Sequence, residues 1–249
     1  MDAEVSRDEQ EAADRRRAVR AGLSAVVMWV GIEFGIRTAG GVAIGLTFLA
    51  VTGWGEPPPG HIGALSFGLL APALLVLWVA FHRRIRRDRI GLPELGYRFT
   101  WTAGLIGIAS GVSLLGVLWL TAAIDTRIFG PNIEFLNIVA ATPMLGILAL
   151  FVANGLLAPI VEELAWRGYI QGRLALGWGP RAALLATVLF FAVKHMIVDV
   201  SLSRSVTLVV ASLALGVIRD RCGTFASTLA HFAMNFTATT AAVFEALTR

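Results

Sequence analysis

Apolar residues in this chain come in long, nearly unbroken runs, not in the stripes of half-buried helices or the alternation of half-buried strands. A helix crossing a hydrocarbon layer of ~30 Å needs ~20 such residues. Seven runs qualify, near 24–52, 61–82, 102–123, 137–160, 181–199, 204–219 and 224–246, the sixth marginally. Between them stand turn formers: Gly55-Glu56-Pro57-Pro58-Pro59-Gly60, Gly130-Pro131-Asn132 and Gly177-Trp178-Gly179-Pro180. The pattern predicts an all-α, polytopic transmembrane helical bundle of about seven spans, or eight segments if one is re-entrant. Residues 1–20 alternate acids with arginines and read as a solvated helical lead-in. The first apolar run exceeds a signal-peptide core and lacks a small-residue cleavage site, so it is expected to be retained.

Composition agrees: 56% of residues are hydrophobic, 15% are charged, and mean hydropathy is +0.72. The net charge of +4 does not point to nucleic acid, because the arginines fall between apolar runs. Arg15 to Arg20, Arg83 to Arg89, Arg167 to Arg181 and Arg219 with Arg221 occupy every second connector. That alternation predicts a multi-pass membrane protein with a cytoplasmic N-terminus. Trp54, Trp101 and Trp178 mark span ends. The cluster at 83–89 reads as a topology anchor that touches anionic membrane lipids. Cys222 is the single cysteine, so no intrachain disulfide is possible.

Ionisable groups within apolar runs are costly and mark function by default. Glu33 and Arg37, four apart, read as a buried structural pair. His82 and His61 read as interfacial and loop-edge residues. The remaining set is Glu162, Glu163, Arg167, His195, His231 and Asn235. Glu163 with Arg167 and His231 with Asn235 are i,i+4 pairs, while Glu162 is turned ~100° from Glu163. His195 follows Phe191 by four, so the phenyl ring can pack beneath the imidazole. Glu162 lies fifteen residues before Gly177 and His195 fifteen after Pro180. At ~1.5 Å per residue both are ~22 Å from one turn, level with each other in an antiparallel pair. His231 and Asn235 lie ~12 and ~18 Å beyond Gly223 on the same side. A Glu and a His sharing a water make a general base, and a His and an Asn opposite supply donors to an oxyanion. The set describes hydrolysis of a peptide bond by activated water, in a cavity expected toward the cytoplasmic half. Pro159 is expected to kink the helix just before the acids.

Glu162-Glu163-x-x-x-Arg167, Phe191-x-x-x-His195 and His231-x-x-x-Asn235, in this order on successive runs, resemble the three signatures of the CAAX-protease and bacteriocin-processing superfamily. That superfamily includes the type II CAAX prenyl endopeptidase. The likeness covers roughly 137–240 and divides the chain into a charged segment (1–20), a variable part of three spans (21–136) and a protease core (137–249). It implies a glutamate-dependent intramembrane endopeptidase without cofactor, with Glu162 and His195 activating water, and His231 with Asn235 forming the oxyanion hole. Glu163 and Arg167 would support and orient Glu162. The implied substrate is a peptide or membrane protein, a prenylated C-terminus being one candidate. Lys194 is a departure, because a small or apolar residue is expected beside the histidine. If it faces the cavity it disfavours protonated His195; if it faces outward it must snorkel or pair.

Three other readings use the same residues. Glu162, His195 and His231 could be three ligands of a catalytic zinc, although no HExxH is present and each would come from a different helix. A transporter would need a polar relay across the bilayer, which the single polar layer does not provide. A non-catalytic scaffold or immunity protein would keep the bundle without needing so complete a site.

Overall fold

The computed structural model describes residues 2–53, 59–131, 133–199 and 201–248. It contains eight helices and no strand among these residues: α1 (Asp2–Thr52), α2 (Pro59–Arg87), α3 (Trp101–Phe129), α4 (Ile133–Ala141), α5 (Met144–Trp178), α6 (Pro180–Val198), α7 (Ser205–Cys222) and α8 (Thr224–Thr248). Two stretches of α5, Phe151–Leu157 and Glu163–Gln171, are wound as π-helix. Trp54 and most of the expected 55–60 connector lie outside the described residues, as does Asn132.

Five helices are long and apolar enough to cross a membrane: Asp8–Ala50, Ile62–Arg87, Trp101–Phe129, Met144–Trp178 and Pro180–Val198. The protein is an integral membrane protein of helical build. The expected sixth and seventh spans are the helices α7 and α8, but they are more polar than the other five. Arg219, Asp220 and Arg221 close α7, while α8 carries Ser227, Thr228, His231 and Asn235. The expected fourth span is divided, because Pro143 breaks the helix between α4 and α5. The charged lead-in is not a separate element. It continues into the first span as one helix of 51 residues.

The basic connectors gather at one end. Asp88 pairs with Arg173 (3.7 Å), Gln171 donates to Asp220 (3.0 Å), and the Thr224 amide donates to the Gly96 carbonyl (2.8 Å). Gly177 lies so close to α1 that a Cβ there would be 2.2 Å from a Val19 methyl, so the lead-in packs on the end of α5. Small residues set the α3–α8 contact. A Cβ at Gly107 would be 2.5 Å from the Ala226 carbonyl, and one at Gly111 would be 2.6 Å from that of Ala230. This Gly-x-x-x-Gly stripe lets two backbones touch where lipid offers no hydrophobic drive to bring them together. An aromatic column fills the middle of the bundle: Phe81 packs on Trp29 (5.6 Å), Trp29 on Trp166 (5.8 Å), and Trp166 on Phe191 (5.4 Å).

Candidate active site

Glu162 and Glu163 sit where α5 changes winding, with Pro159 three residues before Glu162. Proline gives no N–H to the carbonyl of Gly155, and the expected disturbance takes the form of the π turns that precede it. Both acids are buried, as is Arg167. Arg167 lies 3.4 Å from the Glu163 carboxylate and donates to the Ser212 hydroxyl on α7 (3.1 Å). Its guanidinium also stacks over Phe191, 4.4 Å from the ring centre.

The other groups come from α6 and α8. His195 Nε2 is 4.0 Å from Glu162 Oε1, and His231 Nε2 is 3.9 Å from Glu162 Oε2. These gaps are too long for direct hydrogen bonds, and a water with legs of ~2.8 Å spans either of them. The remaining ring nitrogens are engaged. His231 Nδ1 meets Glu163 Oε1 at 3.0 Å, and His195 Nδ1 meets Asp199 Oδ2 at 3.2 Å. A carboxylate only accepts, so each Nδ1 carries a proton, and each ring turns Nε2 toward Glu162. Phe191 packs against His195 with ring centres 4.9 Å apart. Asn235 does not join this knot. Its amide donates to the backbone carbonyl of Asn154 (3.0 Å), and the Asn154 side chain donates to Thr239 (2.9 Å).

Lys194 points inward, completely buried, with Nζ 2.8 Å from Glu162 Oε1 and 3.3 Å from Glu33 Oε2. Glu33 also accepts from the Trp29 indole (2.6 Å). Glu33 and Arg37 therefore do more than pair with each other across 3.9 Å: Arg37 donates to Asp199 Oδ1 at 2.7 Å. A pair set apart from the site on sequence grounds borders it through two different contacts. Asp199 was countable as well, since it follows His195 by four, the same spacing that joins Glu163 to Arg167. Burial raises the Asp199 carboxyl, but the His195 bond and the charges of Arg204 and Arg37 outweigh it and hold the group well below the usual carboxylate range.

Residues 143–237 match the family model described as Type II CAAX prenyl endopeptidase Rce1-like. The C-terminal part of this chain is similar to the CAAX-protease family. The match begins at Pro143, where α5 is about to start, and takes in all seven motif positions, while Glu33 and Arg37 lie outside it. No curated protein and no solved structure matches the chain. The CAAX-protease family is one of endopeptidases, which sets the reaction class against which the site is read.

A zinc ion does not suit these donors as they stand. Glu162 Oε1 already holds an ammonium at 2.8 Å, and a second cation there would be repelled. The Nε2 atoms stand 3.9 and 4.0 Å from the carboxylate, wider than the ~3.4 Å that separates tetrahedral ligands at ~2.1 Å from one ion. Among the described residues no three His, Cys, Asp or Glu side chains are arranged around a metal-sized space.

Proposed function

We propose that the protein is an intramembrane endopeptidase of the CAAX-protease type that hydrolyses a peptide bond with water activated by Glu162 and His195. The observation that carries this reading is the pair of ~4 Å gaps between the Glu162 carboxylate and the Nε2 atoms of His195 and His231. A water in the gap to His195 donates one proton to Glu162 or to Nε2, and its oxygen attacks the scissile carbonyl carbon. Asp199 keeps His195 in the tautomer that can accept, as the carboxylate of a catalytic triad does. The carbonyl oxygen becomes an oxyanion. Asn235 has one amide N–H bound to Asn154 and a second to offer. His231, with Nδ1–H committed to Glu163, donates from Nε2 only as imidazolium, so its oxyanion role belongs to the protonated ring. When the C–N bond breaks, the proton taken from water passes to the leaving amine.

Glu163 and Arg167 touch no substrate in this scheme. They hold His231 and tie α5 to α7 through Ser212. The chemistry runs without a metal, since Lys194 already supplies a positive charge beside Glu162. The substrate is a peptide segment reaching the site from the membrane or its cytoplasmic face, such as a prenylated C-terminus. The arginine-rich end, with the N-terminus, lies on the cytoplasmic side.

The test compares membranes that contain the intact protein with membranes that contain Glu162→Gln, by quantitative mass spectrometry of peptide termini. Termini present only with the intact protein identify substrates and cleavage sites together. Identical terminomes in the two membranes would remove the hydrolase reading.

A further inference from the structure

We propose that Lys194 and Glu33 form a buried counter-charge pair, borne partly by the N-terminal helix, that positions Glu162 and sets the pH range over which it works. The inference rests on the reading that Glu162 acts on water. The ammonium bridges Glu162 Oε1 (2.8 Å) and Glu33 Oε2 (3.3 Å) without solvent contact, and the faces of Phe191 and Trp29 enclose it at 5.2 and 5.5 Å. Glu33 is fixed from the other side by the Trp29 indole. A wholly buried lysine between two carboxylates is costly to assemble. The aromatic column already closes the core without it, so packing alone gives no reason for a charge there.

Two consequences follow from the geometry. Lys194 pins one oxygen of Glu162, so the other is presented to His231 in a single orientation. By neutralising Glu162, the cation also offsets that carboxylate's repulsion with the adjacent Glu163, which is paired with Arg167. The charges around Glu162 are Lys194 and His195 on α6, His231 on α8, Glu163 with Arg167 on α5, Glu33 with Arg37 on α1, and Asp199 at the end of α6. Within that field the two members of the pair act with opposite sign. Removing the lysine makes protonation of the site easier, and removing Glu33 makes it harder.

The opposition can be measured without a substrate. Infrared titration of the purified protein in detergent, taken as the difference from Glu162→Gln, reads protonation of the Glu162 carboxyl directly. In Lys194→Met the midpoint rises by ~1–3 pH units, and in Glu33→Gln it falls. The double variant Glu33→Gln/Lys194→Met removes one charge of each sign and returns the midpoint toward that of the intact protein. Activity on a fluorogenic peptide ending in a farnesylated cysteine and three further residues follows the same order in its acidic limb. Only kcat changes, because neither residue touches substrate. Equal midpoints in all four proteins, or single-variant shifts in one direction, would overturn the pairing. A Glu162→Gln protein that still cleaves would overturn the hydrolase reading while leaving the titration result standing, so the two failures are distinguishable.

Discussion

At the scale of single residues, the proposal divides the polar groups into those that meet the reacting atoms and those that hold them. Glu162→Gln keeps shape and removes the base, so kcat should fall by at least ~10³ while binding persists, as read by single-turnover assays. Asp199→Asn leaves the His195 ring in place but lets it take the other tautomer, with an expected loss of ~10²–10⁴ in kcat. A loss below tenfold would reduce Asp199 to a helix-end contact. Its depressed carboxyl also fixes a sign for stability. A group whose folded value is lowered contributes in full above the unfolded value of ~3.9, and that contribution disappears as pH falls through the folded value. Thermal unfolding should therefore show the intact protein above Asp199→Asn by a constant margin between pH 7 and 5, a margin that closes only below ~4. Outside the site, burial pushes the Tyr97 hydroxyl up to about 12, so it stays protonated at any working pH. The residues that a motif reading recovers are those on one helix at i,i+4. Lys194 and Glu33 belong to different helices, and no spacing rule relates them.

Among elements, α5 matters most because its winding changes twice within the stretch that bears the acids. A π turn carries an extra residue, leaves carbonyls off the regular ladder, and is common at functional sites. The Asn154 carbonyl, inside the first π segment, receives the Asn235 amide. Deleting Val152 should tighten that segment toward α-helix, preserve helix content by circular dichroism, and cost ~10²-fold in kcat through displacement of Asn235. The α3–α8 contact gives a second prediction. Gly111→Ala places a methyl 2.6 Å from backbone that cannot yield, and should lose ~1–3 kcal/mol of stability in detergent. Gly116→Ala, which meets nothing within 4 Å, should not destabilise. The proline near the acids was visible in the sequence. That it would act through wide turns, not a kink, depends on neighbouring helices that sequence periodicity does not describe.

Taken as a whole, the molecule joins two parts that sequence similarity separates. The family match spans 143–237, yet α1 reaches the site with Glu33 and Arg37, so residues 53–249 expressed without α1 should insert in membranes but not cleave. Treatment of the intact protein with a strong zinc chelator should leave its activity unchanged. Loss restored by zinc would put a metal on Glu162 in place of the lysine. Sequence alone determined the helical membrane class, because a chain crossing hydrocarbon must satisfy every backbone group within its own segment, and long apolar runs announce that locally. It also determined which residues share a helix face, since that follows from 3.6 residues per turn. Only tertiary structure decided that α7 and α8 turn polar sides toward the site, that Lys194 faces Glu162, and that the first helix closes the charge network. Those are contacts between helices remote in sequence, set by packing and by the cost of an unpaired buried charge, and neither quantity is written in any local pattern.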